Sequence, residues 1–378
     1  MPGMHARIRT IEAFPVACTL PRPVGDGQGL QPVRRSTFVR VTAEDGTFGW
    51  GEGGPPGPSS YLLRTGGADA LHGMDAIASD LVYERASRLG MPRSLLGAID
   101  IAVWDLKGKL LGQSVAELLG GVRRHQVPAY ASLHNYSESA DCGEELAELI
   151  RQAQASGFRA LKLKIGGRSL PEDEGYLRLA REVAGADFGL MADANQCYEL
   201  AQATRMGRVL EELSYRWFEE PLPRTDVAGY AALRAKLDIA IAGGEGAQSA
   251  ADLQILLQAR AVDITQPDIA GVGGFSEGRY LAGTAALWGA APTWHVWNSP
   301  LVQVATLHLL ANQAPWRILS TGAEAAPLEV TTMPSPMRAE LVPDAPTISA
   351  AGTIAVPSGP GLGVEVDMNA LQTFAMEV

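Results

Sequence analysis

Six ionisable residues recur between positions 164 and 295 of the chain, each at the end of a short apolar run. Lys164 closes "RALKLK", Asp193 lies in "MADANQ", Glu219 in "WFEEP", Glu245 in "AGGEG", Asp268 in "TQPD" and His295 in "TWHVW". The intervals are 29, 26, 26, 23 and 27 residues, each long enough for one strand, one helix and their loops. A single polar residue after a strand is usually a turn former or a helix cap. Six in succession call for a common destination. Asp193, Glu219 and Glu245 are consecutive carboxylates in this series, and three such groups brought together repel unless a cation shares them. Carboxylate oxygens with coordination positions left open suit Mg²⁺.

Lys162 and Lys164 fall on one face of their strand, with Cα atoms roughly 6–7 Å apart. A lysine becomes a base near neutrality only when its pKa falls, and burial beside a second ammonium has that effect. Lys162 is therefore expected to depress Lys164 and to help bind an anionic substrate. Asp268 precedes His295 by one interval, so the two are expected to form a dyad in which the carboxylate fixes the imidazole tautomer. Two bases beside one cation suit abstraction of a proton α to a carboxylate, the cation stabilising the enediolate that forms.

These residues need a scaffold that gathers successive strand ends. From about residue 127 the chain alternates apolar strand-like runs with helical ones: "VPAYASL", "RALKLKI", "FGLMADA", "RWFEEP", "IAIAGGE", "AVDITQPD", "AAPTWH" and "WRILST". Repeated β–α units with apolar strands imply a parallel sheet covered by helices. Eight of them suggest a closed barrel, whose chemistry gathers at the strands' C-terminal ends. An open doubly wound sheet is the alternative. Against it, the one glycine-rich patch, "GVGGFSE", carries Ser276 where a dinucleotide fingerprint needs its last glycine.

The region before 127 reads differently. "TIEAFPVACTL", "STFVRVTAEDG" and "TFGWGEG" are strand-like, with "EDG" as a hairpin turn. Residues 21–32 and 53–60 are rich in Gly and Pro and read as irregular loops, candidates for lids. "PRSLLGAIDIAVWDLKGKLLG" is a helix: Leu95, Ile99, Val103, Leu106 and Leu110 recur at helical spacing, with Pro92 at the start and Gly112 at the end. The tail after 324 resumes short strands and is assigned to the first domain.

The 378 residues carry a net charge of -11, which argues against a nucleic-acid partner. Cys18, Cys142 and Cys197 are scattered and lack metal spacing, so free thiols in a reducing compartment are expected. The N-terminus has no signal-peptide core and no apolar run is long enough to span a membrane. A cytoplasmic protein is the expectation.

In combination "KLKIG", "DAN", "WFEEP", "GGE", "QPD" and "HVW" resemble the enolase superfamily, and within it the mandelate racemase group. The resemblance covers essentially the whole chain. It implies a modified TIM barrel, (β/α)₇β, over 127–324. An α+β capping domain would form from 1–126 with the tail 325–378 returning to it. It implies Mg²⁺ held by Asp193, Glu219 and Glu245, Lys164 as base, His295 with Asp268 as the second, and Lys162 in support. Asn195, Trp297 and Glu329 are the expected substrate contacts. Many members carry a Glu after strand eight. "PWRILSTG" has no acid in that place, leaving Glu329 or Glu324 to stand in.

"VDITQPDIAGVGGFSE", "HVWNSP" and "GPGLGVEV" are most similar to galactarolactone and anhydrogalactonate cycloisomerases, with Asn298 where those carry Gly. The implied function is cycloisomerisation of a sugar-acid lactone or anhydro sugar acid. Dehydration or epimerisation of an acid sugar shares the same first step. A non-catalytic metal-binding barrel is the reading from another class, and a dehydrogenase lacks its fingerprint. The expected partners are a small-molecule carboxylate and copies of this chain, from dimer to octamer.

Overall fold

The computed structural model describes residues 6–55, 66–133, 136, 142–297, 299–318 and 322–376. Three antiparallel strands open the chain: β1 (Ile8–Asp26), β2 (Gly29–Ala43) and β3 (Phe48–Gly53), in that spatial order. The segment 21–32, expected to be an irregular loop, is instead the distal half of the β1–β2 hairpin. Val24, Gly25 and Asp26 pair with Gln31, Leu30 and Gly29, after a register shift between Thr19 and Val24. Pro21 and Pro23 lie at that shift, on an edge strand, where a missing N–H breaks no ladder. Of the second expected loop, residues 56–60 lie outside the described residues.

The helix Arg93–Leu111 forms where its spacing predicts, from Pro92 to a left-handed Gly112. It lies directly on β3, because Gly49, Gly51 and Gly53 present one face without side chains. A Cβ at these positions would come within 2.2, 2.0 and 2.2 Å of the helix carbonyls of Ala102, Ala98 and Ser94. The same helix faces the barrel through Gly97, whose added Cβ would meet the Ala270 carbonyl at 2.2 Å. Asp100 accepts from the Ser276 hydroxyl at 2.6 Å, and Trp104 Nε1 donates to that oxygen at 3.0 Å. Buried polar bonds thus tie the cap to the barrel.

Eight parallel strands build the barrel: β4 (Gln126–Ser132), β5 (Ala160–Lys164), β6 (Gly189–Asp193), β7 (Trp217–Glu219), β8 (Ala240–Gly243), β9 (Ile264–Thr265), β10 (Ala291–Pro292) and β13 (Leu328–Thr331). Neighbours pair in sequence around the sheet, β13 pairs with β4, and a parallel bridge from Trp294 to Leu328 closes the ring. Helices fill the seven intervals between these strands, two of them in the β9–β10 interval (Ile269–Val272 and Gly274–Leu287), giving the (β/α)₇β form. The eighth strand is not the expected "WRILST". Of those residues, Trp316–Ile318 form β11, which among the described residues pairs with β12 (Gly322–Glu324) alone, antiparallel and outside the barrel sheet. The barrel therefore runs past the expected boundary at 324. Leu328 and Val330 supply the apolar rhythm of the true eighth strand, with Glu329 between them.

The tail does not belong to the cap alone. Its strand β14 (Thr353–Ala355) pairs antiparallel with β4. The tail also reaches the first domain at several points: Leu362 N donates to Asp105 Oδ1 at 2.7 Å, Val115 N to Gly361 O at 2.9 Å, Ala17 N to Phe374 O at 2.9 Å and Met376 N to Pro15 O at 3.0 Å. No described helix is long and apolar enough to cross a membrane.

Candidate active site

Register places the site. Lys164 pairs with Asp193 across β5 and β6, Asp193 with Glu219 across β6 and β7, and Glu329 with Tyr130 across β13 and β4. Because neighbouring parallel strands point equivalent residues the same way, these side chains converge inside the barrel. Each of Asp193, Glu219 and Glu245 offers an oxygen within 4.8 Å of the other two. Asp193 and Glu219 are fully buried and Glu245 is partly open to solvent. Three carboxylates from consecutive strand ends form a donor set that suits a hard dication.

The two lysines occupy different depths. Lys162 is fully buried, and its Nζ lies 2.5 Å from Glu219 Oε1, 2.8 Å from Glu329 Oε1 and 3.6 Å from Asp193 Oδ2. It neutralises carboxylates on three strands, so it is not open to an incoming anion as the sequence reading expected. Lys164, nearer the mouth, donates to Asp193 Oδ2 at 2.5 Å. Its pKa is raised, not depressed. Burial, the largest influence, and Lys162 pull it down, but the charges of Asp193, Glu245 and Glu219 together outweigh them. Burial alone would push Asp193 up, and Lys164 and Lys162 reverse that, holding it well below the usual carboxylate range. Burial drives Glu219 up to about 7, against Lys162. For Glu329 burial is overcome by Lys162 and His295, which hold it at about 2.

On the other side of the mouth His295 Nδ1 lies 2.9 Å from Asp268 Oδ2, and its Nε2 lies 3.5 Å from Glu245 Oε2. Asp268 is itself fixed by the backbone N–H groups of Ala270 and Gly271. Burial lowers the imidazole pKa, but Glu245 and Asp268 carry it up to about 10. Lys164 and the His295–Asp268 pair thus stand against opposite members of the carboxylate triad.

Of the expected substrate contacts, Asn195 adjoins the triad. Its N–H donates to Asp193 Oδ1 at 2.9 Å, and its buried Oδ1 has no partner among the described residues. Trp297 flanks the mouth beneath the Arg34 guanidinium. Glu329 lies on strand eight itself, with Oε2 accepting from Val296 N at 3.1 Å. Glu324 ends β12, outside the barrel sheet, and Asn298 lies outside the described residues.

Sequence reasoning missed three supports. Gln266 Nε2 and Trp217 Nε1 donate to Glu219 Oε2 at 2.6 and 3.1 Å. Arg224 pairs with Glu220 at 2.7 Å and also with Glu245, so it tethers the outermost member of the triad. All three stand in or beside the quoted motifs, "WFEEP" and "TQPD", and the period-2 relation of Trp217 to Glu219 was available as a signal.

Residues 10–120 match the family model of the mandelate racemase / muconate lactonizing enzyme N-terminal domain, and residues 145–370 match the enolase C-terminal domain-like model. The chain belongs to the mandelate racemase / muconate lactonizing enzyme family. It is therefore an enzyme of the enolase superfamily. It is 34% identical over 352 residues to the D-galactarolactone cycloisomerase of Agrobacterium fabrum, covering 91% of this chain and 92% of that protein. Its fold matches the 3,6-anhydro-D-galactonate cycloisomerase from Zobellia galactanivorans with a TM-score of 0.86 at 30% identity, over 98% of this chain and 100% of that one. A racemase from Streptomyces coelicolor, whose crystal structure contains magnesium, matches with a TM-score of 0.86 at 25% identity, over 98% and 100% of the two chains. Within this family the capping domain is the β1–β3 unit with its helices, and the barrel carries the carboxylate triad.

Proposed function

We propose that this enzyme removes the α-proton of a sugar-derived carboxylate and that its overall reaction is the cycloisomerisation of a sugar-acid lactone or anhydro sugar acid. The observation that carries the first part is the triad of Asp193, Glu219 and Glu245 flanked by Lys164 on one side and by His295 with Asp268 on the other. The second part rests on the similarity to two cycloisomerases along nearly the whole chain.

Asp193, Glu219 and Glu245 would hold Mg²⁺, which when bound supplies positive charge to the substrate carboxylate as its α-proton leaves. Lys164 stands closest to Asp193 and takes the proton. A cation held by the triad would engage the carboxylates that raise the Lys164 pKa, and burial and Lys162 would then favour the neutral amine. Lys162 opposes the burial that would protonate Glu219 and holds Glu329 charged and in place. His295, oriented by Asp268, delivers a proton to the far side of the substrate or assists the leaving oxygen. The hairpin tip at 26–29 excludes water: Gln28 Nε2 donates to the Asn195 carbonyl at 2.5 Å, and Gly25 bridges Tyr136.

Incubating the protein with Mg²⁺ and a panel of acid sugars and their lactones in D₂O tests the proposal. Deuterium at the α-carbon, with net turnover of a lactone or anhydro acid, is the expected result. An absence of exchange across the panel would sink the proton-abstraction reading. Exchange accompanied by loss of water would replace cycloisomerisation with dehydration.

A further inference from the structure

Arg34 is the unexplained charge of the cap. It projects from β2 and is only 8% exposed. Its guanidinium stacks on Trp297 with 3.9 Å from Cζ to the ring centroid, two residues beyond His295. It forms no ion pair among the described residues, and its buried Nη2 has no hydrogen-bond partner there. The carboxylates whose charges it feels are Glu52 and Asp268. Both are already engaged. Glu52 accepts from the hydroxyls of Ser36 and Ser299 and from two backbone N–H groups, and Asp268 from His295, Ala270 and Gly271. Burial lowers the Arg34 pKa to about 9, which still leaves it charged at neutral pH.

A buried guanidinium without a paired anion is costly, and proteins retain one where a ligand supplies the missing charge. The planar fork of an arginine matches a carboxylate in two parallel bonds. The position fits a ligand held in the mouth. Arg34 stands on the cap side, against Trp297 in the loop that follows β10, and feels the charge of Asp268, the partner of His295. Cys18, its partner across the hairpin, meets Ser335 beyond β13 at 3.6 Å, which places this part of the cap above strands seven and eight.

Resting on the proton-abstraction reading above, we propose that Arg34 binds a second carboxylate at the far end of the substrate, so that the ligand class is a dianionic acid sugar. That carboxylate is present from the start in a diacid. In a lactone of a diacid it is the group freed when the ring opens. Trp297 sets the plane of the guanidinium by stacking beneath it.

The test compares acids that differ only at the far terminus. Calorimetry with Mg²⁺ would measure galactarate against galactonate, and glucarate against gluconate, on the wild type, Arg34→Gln and Arg34→Lys. A charge-assisted pair predicts that the wild type prefers at least one diacid by roughly 10- to 100-fold. Arg34→Gln should bring that ratio close to one, the loss falling far more on the diacid than on the monoacid, with Arg34→Lys in between. A wild-type ratio near one in both pairs, or no binding of any of the four, overturns the proposal, and neither result depends on how a variant folds. Equal losses for diacid and monoacid in Arg34→Gln also overturn it, because they mark a packing role. Deuterium exchange in the same samples judges the underlying reading separately. A diacid preference that depends on Arg34, without exchange of any acid, would keep the anion site and remove the proton-abstraction reading.

Discussion

Lys164 Nζ lies 2.5 Å from Asp193 Oδ2, so the residue proposed to take a proton is bonded to one proposed to hold the metal. An ammonium bonded to Asp193 would oppose a dication held by the same carboxylate. Metal occupancy and the protonation of Lys164 are therefore linked, and each opposes the other.

The first prediction follows from that competition. Mg²⁺ affinity should rise with pH, because deprotonation of Lys164 frees the oxygen, and Lys164→Met should bind Mg²⁺ more tightly than the wild type. Calorimetric titration of both proteins across a pH series measures this. Equal affinities at every pH would show that the lysine and the metal do not share Asp193.

The triad itself should be indispensable. Excess chelator should abolish turnover and Mg²⁺ restore it. Glu219→Gln, which keeps the shape but not the charge, should lower kcat by roughly 10²–10³-fold or more. Full activity in chelator would remove the metal from the mechanism.

Much of this site was legible because the fold converts sequence intervals into position. The regular spacing from Lys164 to His295 is the barrel's own repeat, and seven of the eight barrel strands fall on the expected runs. Strand eight was misread because "WRILST" is the longer run and carries three apolar residues, whereas a four-residue strand bearing a buried Glu329 has little signature of its own. The pKa of Lys164 was misread for a related reason. The strand's own pattern shows Lys162 beside it, but Asp193 comes from another strand, and only the register reveals that it is closer. The hairpin tip was hidden by its prolines, which a register shift absorbs. Arg34 left no motif at all, since its meaning depends on what fails to pair with it.

The seat of the hairpin tip gives a third prediction. A Cβ on Gly27 would lie 2.7 Å from Cys197 Sγ and 2.8 Å from Gly167 N. Gly27→Ala should therefore lift the tip from the mouth. Overpacking of this kind costs about 1–3 kcal/mol. KM should rise by a factor of roughly 5 to 100 on that basis, with faster hydrogen exchange at 26–29. Unchanged kinetics and exchange would show that the tip does not close the site.

His308 provides a stability prediction away from the chemistry. The imidazole is fully buried, with Nδ1 accepting from Ala116 N at 3.2 Å and Nε2 bonded to the Leu362 carbonyl at 3.0 Å. Burial lowers its pKa to about 4, while the unfolded chain has the ordinary value of about 6.5. Below that value the unfolded state takes up the proton and the folded state does not, so stability is full above pH 6.5 and falls as pH drops toward 4. At pH 5 the loss from this group is about 2 kcal/mol. His308→Gln offers one acceptor and a donor in place of the two imidazole nitrogens and cannot titrate. Denaturant unfolding of the two proteins should show the wild type losing that amount relative to the variant between pH 7 and pH 5. Parallel curves would refute the assignment.

The last prediction separates the two bases. Lys164 stands at Asp193 and His295 at Glu245, on opposite sides of the triad, so a substrate held between them presents two faces to two different groups. A substrate of one configuration offers its α-proton to only one of them. The other must then serve the later step, protonating the intermediate or the departing oxygen. Lys164→Ala and His295→Asn should both stop net turnover, with losses of about 10²–10⁴-fold. They should differ in partial reactions. If Lys164 abstracts the proton, His295→Asn will still wash deuterium from D₂O into the α-position of the substrate, and Lys164→Ala will not. Proton NMR of the recovered substrate distinguishes the two, and the configuration at the labelled carbon reports the face attacked. Exchange retained only in Lys164→Ala would assign abstraction to His295. Near-wild-type turnover in both variants would show that the chemistry lies elsewhere than in this mouth.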